Sequence, residues 1–241
     1  MRLRCGPAAL GCLLALGAGP AGAVVGGAEA PAGAAVMVLS SNGGVCTGIV
    51  LAADTVLTAG HCVAGGLEQR VHFRDEAGKP VLVELAARAV HPGYDAGAVA
   101  GRRRSIDLAL LRTASALPPR FRPVALSAAM PRAGESLTLS GYGAERANDP
   151  RSTGTFRAVA LPVVEPYGPS RILVWLKAPG RAGGCQGDSG GPVAVGDGAV
   201  VAVAAWIGGA CGGLTQGVLL GPQRDWLDRT LTGWGRAAAW N

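Results

Sequence analysis

Lysine is almost missing from this chain of 241 residues: Lys79 and Lys177 are the only two. The net charge of +6 is therefore an arginine charge, and it is mostly dispersed. The single run, Arg102-Arg103-Arg104, has no aromatic residues interleaved with it. Nucleic-acid binding, which pairs a basic patch with stacking or groove-reading residues, is not expected, and the run reads as a solvated loop. Aromatic residues are only 5% of the chain, while glycine numbers 39. That balance suits short strands and turns better than long packed helices. No apolar run reaches the ~20 residues that a transmembrane helix needs. No CxxC pair is present, so a zinc site is not expected. After residue 23 there is no linker, tandem repeat or low-complexity tail.

What is present begins with an export pattern. Arg2 and Arg4 precede an apolar run over 8–18, and Ala21-Gly22-Ala23 follows as a small-residue cleavage site. Residues 1–23 are therefore read as a signal peptide, and 24–241 as the mature chain, secreted or periplasmic. Cys12 lies inside the apolar run rather than after it, which speaks against lipid attachment. Cys46, Cys62, Cys185 and Cys211 remain after cleavage. An even number in an exported chain suggests disulfides, and arithmetic alone leaves three connectivities open.

The mature chain is a series of short apolar runs broken by Gly, Pro, Asn and Asp. Examples are 35–39, 45–51, 81–90, 108–111, 136–139, 156–164, 172–176, 192–195 and 200–207. Such spacing predicts an all-β fold, as a sandwich or as barrels. Residues 223–231 differ: Trp226, Leu227 and Leu231 recur at helical spacing, and Gly233 sits where a helix would stop.

Three local patterns carry possible chemistry. Thr58-Ala59-Gly60-His61-Cys62 places an imidazole beside a cysteine. Asp107 leads into the apolar run Leu108-Ala109-Leu110-Leu111, where a carboxylate is costly unless something pairs with it. Gly187-Asp188-Ser189-Gly190-Gly191-Pro192 sets one hydroxyl among glycines. Taken singly, each has a bland reading: a core histidine, an exposed strand end, a surface turn. Together they supply a nucleophile, a base to take its proton, and an acid to orient the base. Imidazole suits the middle role because its ordinary pKa lies near neutral pH.

With Val24-Val25-Gly26-Gly27 ahead of them, these motifs resemble the chymotrypsin-like (trypsin-family) serine endopeptidases. They stand in that family's His, Asp, Ser order, which differs from other hydrolase folds that use the same chemistry. Gly141-Tyr142-Gly143, Trp206 before Cys211 and the closing Trp226 helix are lesser echoes. The resemblance implies two packed six-stranded antiparallel β-barrels with a short C-terminal helix: a first barrel over about 24–130, a second over about 131–222, and the helix over 223–231. It implies His61, Asp107 and Ser189 as the catalytic residues, and the N–H groups of Gly187 and Ser189 as an oxyanion hole. Cys46–Cys62 and Cys185–Cys211 are the implied disulfides. Val24, once freed by cleavage, would place its ammonium against Asp188, and signal-peptide removal alone would expose it. The implied substrate is a polypeptide, with a protein protease inhibitor as a further partner, no cofactor or metal, and a monomeric state.

The family pattern puts the substrate pocket at Gly183, Gly184, Trp206, Ile207 and Gly217. Neither Gly183 nor Gly184 is charged, and a β-branched Ile207 stands where the family often has glycine. Small or medium apolar side chains are therefore expected before the cut bond. The chain departs from the family at Gly60, at Ala205 (usually a serine that helps hold the triad acid) and in lacking a third disulfide. The alternative reading is a catalytically silent binding protein on the same fold, since fold does not fix function.

Overall fold

The structure is a computed structural model and describes residues 24–101, 103–147 and 149–241. The signal-peptide reading of 1–23 lies outside the described residues. In chain order the strands are β1 (Ala28–Glu29), β2 (Ala35–Ser40), β3 (Val45–Ala52), β4 (Thr55–Thr58), β5 (Gln69–Arg74), β6 (Pro80–Val83), β7 (Leu85–Val90) and β8 (Ala109–Thr113). They continue as β9 (Ala125–Leu126), β10 (Ser136–Gly141), β11 (Arg157–Val164), β12 (Leu173–Leu176), β13 (Pro192–Ala194), β14 (Val200–Gly208), β15 (Leu214–Leu219) and β16 (Ala239–Trp240). A short helix α1 (Ala98–Gly101) and the closing helix α2 (Arg224–Gly233) complete the set.

Two rolled antiparallel sheets result, as the strand-rich pattern implied. In the second, β13, β10, β11, β12, β15 and β14 pair in sequence, and β13 also pairs with β14, so six strands close on themselves. The first sheet runs β6-β5-β2-β3-β4-β8-β7 and its ladder stays open. Its two ends are consecutive pieces of one segment, bent at Glu84, whose carbonyl accepts from Ala114 N–H at 2.8 Å. The run read from sequence as 81–90 is thus two strands facing different neighbours.

Each barrel carries its own core. Val36, Val38, Val50, Val56, Val71 and Leu111 fill the first. Leu137, Leu139, Leu161, Leu176, Val193 and Leu219 fill the second, and Val24 joins them. A third cluster, with Ile49, Leu57, Leu108 and Leu110 from one sheet and Val200, Val203 and Val218 from the other, lies between the barrels. Helix α2 closes this seam with Leu227 and Leu231, both fully buried. The helix ends at Gly233, as expected, and the chain turns at Gly235, whose φ of +68° is a left-handed conformation suited to glycine. The termini also cross over: β1 pairs with β11 of the second barrel. The site lies where the seam opens to solvent.

Candidate active site

His61 sits in a single 3-10 turn, Gly60–Cys62, directly after β4. Asp107 precedes β8, the strand that pairs with β4. That pairing brings the two side chains together: His61 Nδ1 lies 2.6 Å from Asp107 Oδ2. The His61 backbone N–H donates to the other carboxylate oxygen, Asp107 Oδ1, at 2.8 Å. Asp107 is thus gripped at both oxygens by one residue, which fixes the imidazole plane. Gly60 has a local reason to be glycine. A Cβ there would lie 3.1 Å from both Asp107 Oδ1 and Tyr94 Cδ2. With Nδ1–H donating to the carboxylate, the ring is left with Nε2 as an acceptor.

Ser189 lies in the loop before β13, tied to the first barrel through backbone. Its carbonyl accepts from Thr47 N–H at 2.8 Å, and Thr47 Oγ1 donates to the Gly187 carbonyl at 2.8 Å. Gly190 has φ +84°, and a Cβ there would overlap the Thr47 carbonyl and Thr58 Oγ1, so no other residue fits. Gly187 has φ +99° and abuts Gly143. The N–H groups of Cys185, Asp188, Gly190 and Gly191 are all hydrogen-bonded inside the loop or to its neighbours. Those of Gly187 and Ser189 have no acceptor among the described residues.

Asp188 is buried beneath this loop. Its Oδ1 accepts from Gly143 N–H and its Oδ2 from Cys185 N–H, each at 2.8 Å. Burial pushes its carboxyl up to about 7, and the two backbone donors only partly oppose that. Gly141 and Gly143 flank it with no room for a side chain, which explains the Gly-Tyr-Gly stretch. Val24 is fully buried in the second core, and Val25 forms an antiparallel bridge with Gly183.

The expected pocket residues are only partly brought together. A Cβ on Gly184 would lie 3.0 Å from Ile207 Cγ2 and 3.3 Å from Thr215 Oγ1. Thr215 Oγ1 accepts the Gly184 N–H at 2.9 Å. Ile207 and Thr215 face each other across β14 and β15. Gly217, expected opposite Ile207, instead packs within the barrel against Val174 and Ala202. The register of β15 is the reason: Thr215 pairs with Ile207, while Gly217, on the same face, pairs with Ala204 deeper in the barrel. Sequence reasoning missed Thr215.

Trp206 forms a wall of a wider cleft of about 830 Å³ that also takes in His61, Tyr94, Asp107, Tyr167 and Trp175. Trp175 stacks edge-on to Trp206 at 6.2 Å and to Tyr167 at 5.1 Å. Arg103, read as part of a solvated basic run, is held at the rim by Asp95, Nη2 to Oδ2 at 2.7 Å. Arg102 lies outside the described residues.

Both disulfides join the pairs implied by the resemblance, Cys46–Cys62 and Cys185–Cys211. They fit an oxidising compartment. Cys46, His61 and Cys62 come close enough to suggest a metal cluster, but both sulfurs are bonded to each other, so no thiolate is available. Among the described residues no helix is long and apolar enough to cross a membrane.

Comparison with known proteins agrees with this geometry. The family model described as Trypsin matches residues 24–226. Human kallikrein-8 is 27% identical over 179 residues, covering 70% of this chain and 68% of the relative. The rat chymotrypsin-like elastase family member 1 is 30% identical over 198 residues, covering 70% of this chain and 72% of the relative. A solved mutant of human heparin binding protein superposes with a TM-score of 0.74 at 24% identity, over 90% of this chain and all of that one. With its domain matched across most of its length, the chain belongs to the trypsin family of serine endopeptidases.

Proposed function

We propose that the chain cuts peptide bonds through Ser189, His61 and Asp107 by way of an acyl-enzyme. The observation that carries this is the two-point grip of His61 on Asp107, at 2.6 and 2.8 Å, beside the Ser189 loop. In this reading Ser189 Oγ attacks the carbonyl carbon while its proton passes to His61 Nε2. The carbonyl π electrons move onto oxygen, and the free N–H groups of Gly187 and Ser189 hold that charge. Collapse expels the amine, which takes the proton from His61. Water then repeats the two steps and releases the acid.

The side chain accepted before the cut bond is small or medium and apolar, because Ile207 and Thr215 close on Gly184 from two sides. Export through residues 1–23 places the enzyme outside the cytoplasm, in keeping with its two disulfides. Cleavage before Val24 by signal peptidase would free an ammonium to pair with the buried Asp188. Val24 supports this: at φ +46° a β-branched residue is in a conformation it normally avoids, and cutting the preceding bond removes that constraint.

The test is active-site titration with a fluorophosphonate probe, run beside Ser189→Ala on protein beginning at Val24. One equivalent of label per chain, lost in the variant, is the expected result. Folded protein that takes no label would overturn the catalytic reading and leave a binding protein on the same fold.

A further inference from the structure

A second cavity, of about 520 Å³, opens on the outer wall of the first barrel. Met37, His72, Arg74, Arg120 and Tyr142 line it, and no acidic residue does among the described residues. The Arg120 guanidinium lies over the rings of Phe121 and Phe73, 4.9 and 5.5 Å from their centroids. It donates to the Arg74 carbonyl, and the Arg74 guanidinium donates to the Gly78 carbonyl at 2.8 Å. Among the described residues neither arginine forms an ion pair. Ten of the seventeen described arginines lack an ion pair, and of these ten Arg74 and Arg120 are the two that line this cavity. A guanidinium held on aromatic faces with donors to spare, inside a concave wall, is preorganised for a carboxylate.

The cavity has an apolar border and a link to the reacting loop. Met37 faces His72 across β2 and β5, and His72 faces Leu82 across β5 and β6. Leu82 is 58% exposed. Tyr142 N–H donates to Thr47 Oγ1 at 3.0 Å, and Thr47 Oγ1 donates to the Gly187 carbonyl. Thr47 thus joins Tyr142 of the cavity wall to the loop of Ser189. The wider cleft with His61 and Trp206 is separate from it.

We propose that this cavity is an accessory binding site for an acidic segment of a polypeptide substrate, with carboxylates on Arg74 and Arg120 and a neighbouring aliphatic side chain on the Met37–Leu82 row. The peptide is preferred over a sulfated polysaccharide because the two free cations sit in a hollow with an aromatic floor and an aliphatic edge. A polyanion would need a line of cations along an open surface. Residues 24–241 keep a net charge of +4, which favours the encounter with an acidic partner. That the captured chain is then cut rests on the endopeptidase reading; the binding itself does not.

The test uses the full mature chain carrying Ser189→Ala and a labelled dodecapeptide with two glutamates beside a leucine, followed by fluorescence polarisation. The glutamate peptide should bind at least ~10-fold tighter than its glutamine twin, and more weakly as salt rises. Arg74→Gln alone, on an exposed side chain, should weaken binding several-fold, and Arg74→Gln with Arg120→Met should abolish the preference. In the active enzyme, kcat/KM should favour a substrate extended by the acidic segment, and the double variant should lose that preference while turning over a small ester normally. Equal binding of the two peptides, or indifference to both arginines, would overturn the proposal. So would arginine-dependent binding of heparin fragments with none of the acidic peptide. A chain that fails to take the fluorophosphonate would defeat the endopeptidase reading and leave the polarisation result to stand by itself.

Discussion

Gly184 shows how much one missing side chain decides here. Its N–H is already committed to Thr215 Oγ1, and a Cβ would touch Ile207 and Thr215 together. Under the proposed specificity, the space left for a substrate side chain is whatever these three residues do not fill. Ile207 contributes most of the bulk, since its Cγ2 makes the nearest approach. Replacing it should therefore change selectivity more than speed. Ile207→Gly is expected to raise kcat/KM for Phe before the cut bond by at least ~10-fold relative to Ala, because a filled pocket discriminates by about 1–3 kcal/mol per methylene. A panel of peptides varied only at that residue measures it. An unchanged Phe-to-Ala ratio would mean that the pocket lies elsewhere than between β14 and Gly184.

At the level of elements, the chain ends are fastened by charge as well as by packing. Asp54 sits in the turn between β3 and β4 with its carboxylate 12% exposed. Arg236, from the segment after α2, meets it with both fork nitrogens, Nε to Oδ1 at 2.8 Å and Nη2 to Oδ2 at 2.9 Å. Arg112 adds a longer contact at 3.5 Å. The Arg236 hydrogen bonds hold the Asp54 carboxyl below its ordinary range, more than burial raises it. The sign follows: the unfolded carboxyl binds a proton more readily, so this contribution is present above about pH 4 and fades as the pH falls further. Arg236→Ala is expected to lower stability at pH 7 by about 1–2 kcal/mol, less than a fully buried pair because the guanidinium is partly solvated. Arg236→Lys should recover only part, since an ammonium cannot span both oxygens. Urea midpoints for the three proteins at pH 7 and pH 3 provide the check, with the gap narrowing at the lower pH. A gap that widens at pH 3 would contradict the assignment.

This pair was invisible in the sequence, and the reason is general to the molecule. Loops whose chemistry is local could be read directly: Gly190 and Gly187 announce positive φ, and His61, Asp107 and Ser189 stand in recognisable runs. Strands rich in apolar residues, such as β3 and β14, were equally plain. β5, with the sequence QRVHFR, and β15, with LTQGVL, were not, because their outward faces are polar and a glycine interrupts the second. Register was the harder loss. A two-residue error along β15 keeps the strand face but moves a side chain from opposite Ile207 to opposite Ala204, and only pairing with β14 fixes it. Asp54 and Arg236 are 182 positions apart, and nothing in either neighbourhood names the other.

For the whole molecule, the decisive feature is a buried carboxylate, and under the proposed activation its partner depends on where the chain begins. With Val24 in peptide linkage, the only donors to Asp188 among the described residues are the N–H groups of Gly143 and Cys185, and burial carries its carboxyl up to about 7. A folded pKa above the unfolded one means that the native state holds the proton more tightly. Stability from this group is thus full below about pH 4 and is lost as the pH rises towards 7, at about 1.4 kcal/mol per pH unit at most. A free ammonium at Val24 would reverse the balance by favouring the carboxylate. The uncut chain carrying Ser189→Ala should therefore melt at progressively lower temperature from pH 4.5 to pH 7. The chain beginning at Val24 should be flat or rise across that window, and Asp188→Asn should be flat in both forms. Melting curves of the four proteins at three pH values separate these outcomes. The same downward slope in the uncut chain with and without Asp188 would assign it to other groups and detach activation from this carboxylate. A slope confined to the uncut chain with Asp188 intact would tie the shape of the Ser189 loop to a single cut about 165 residues upstream, through one buried charge.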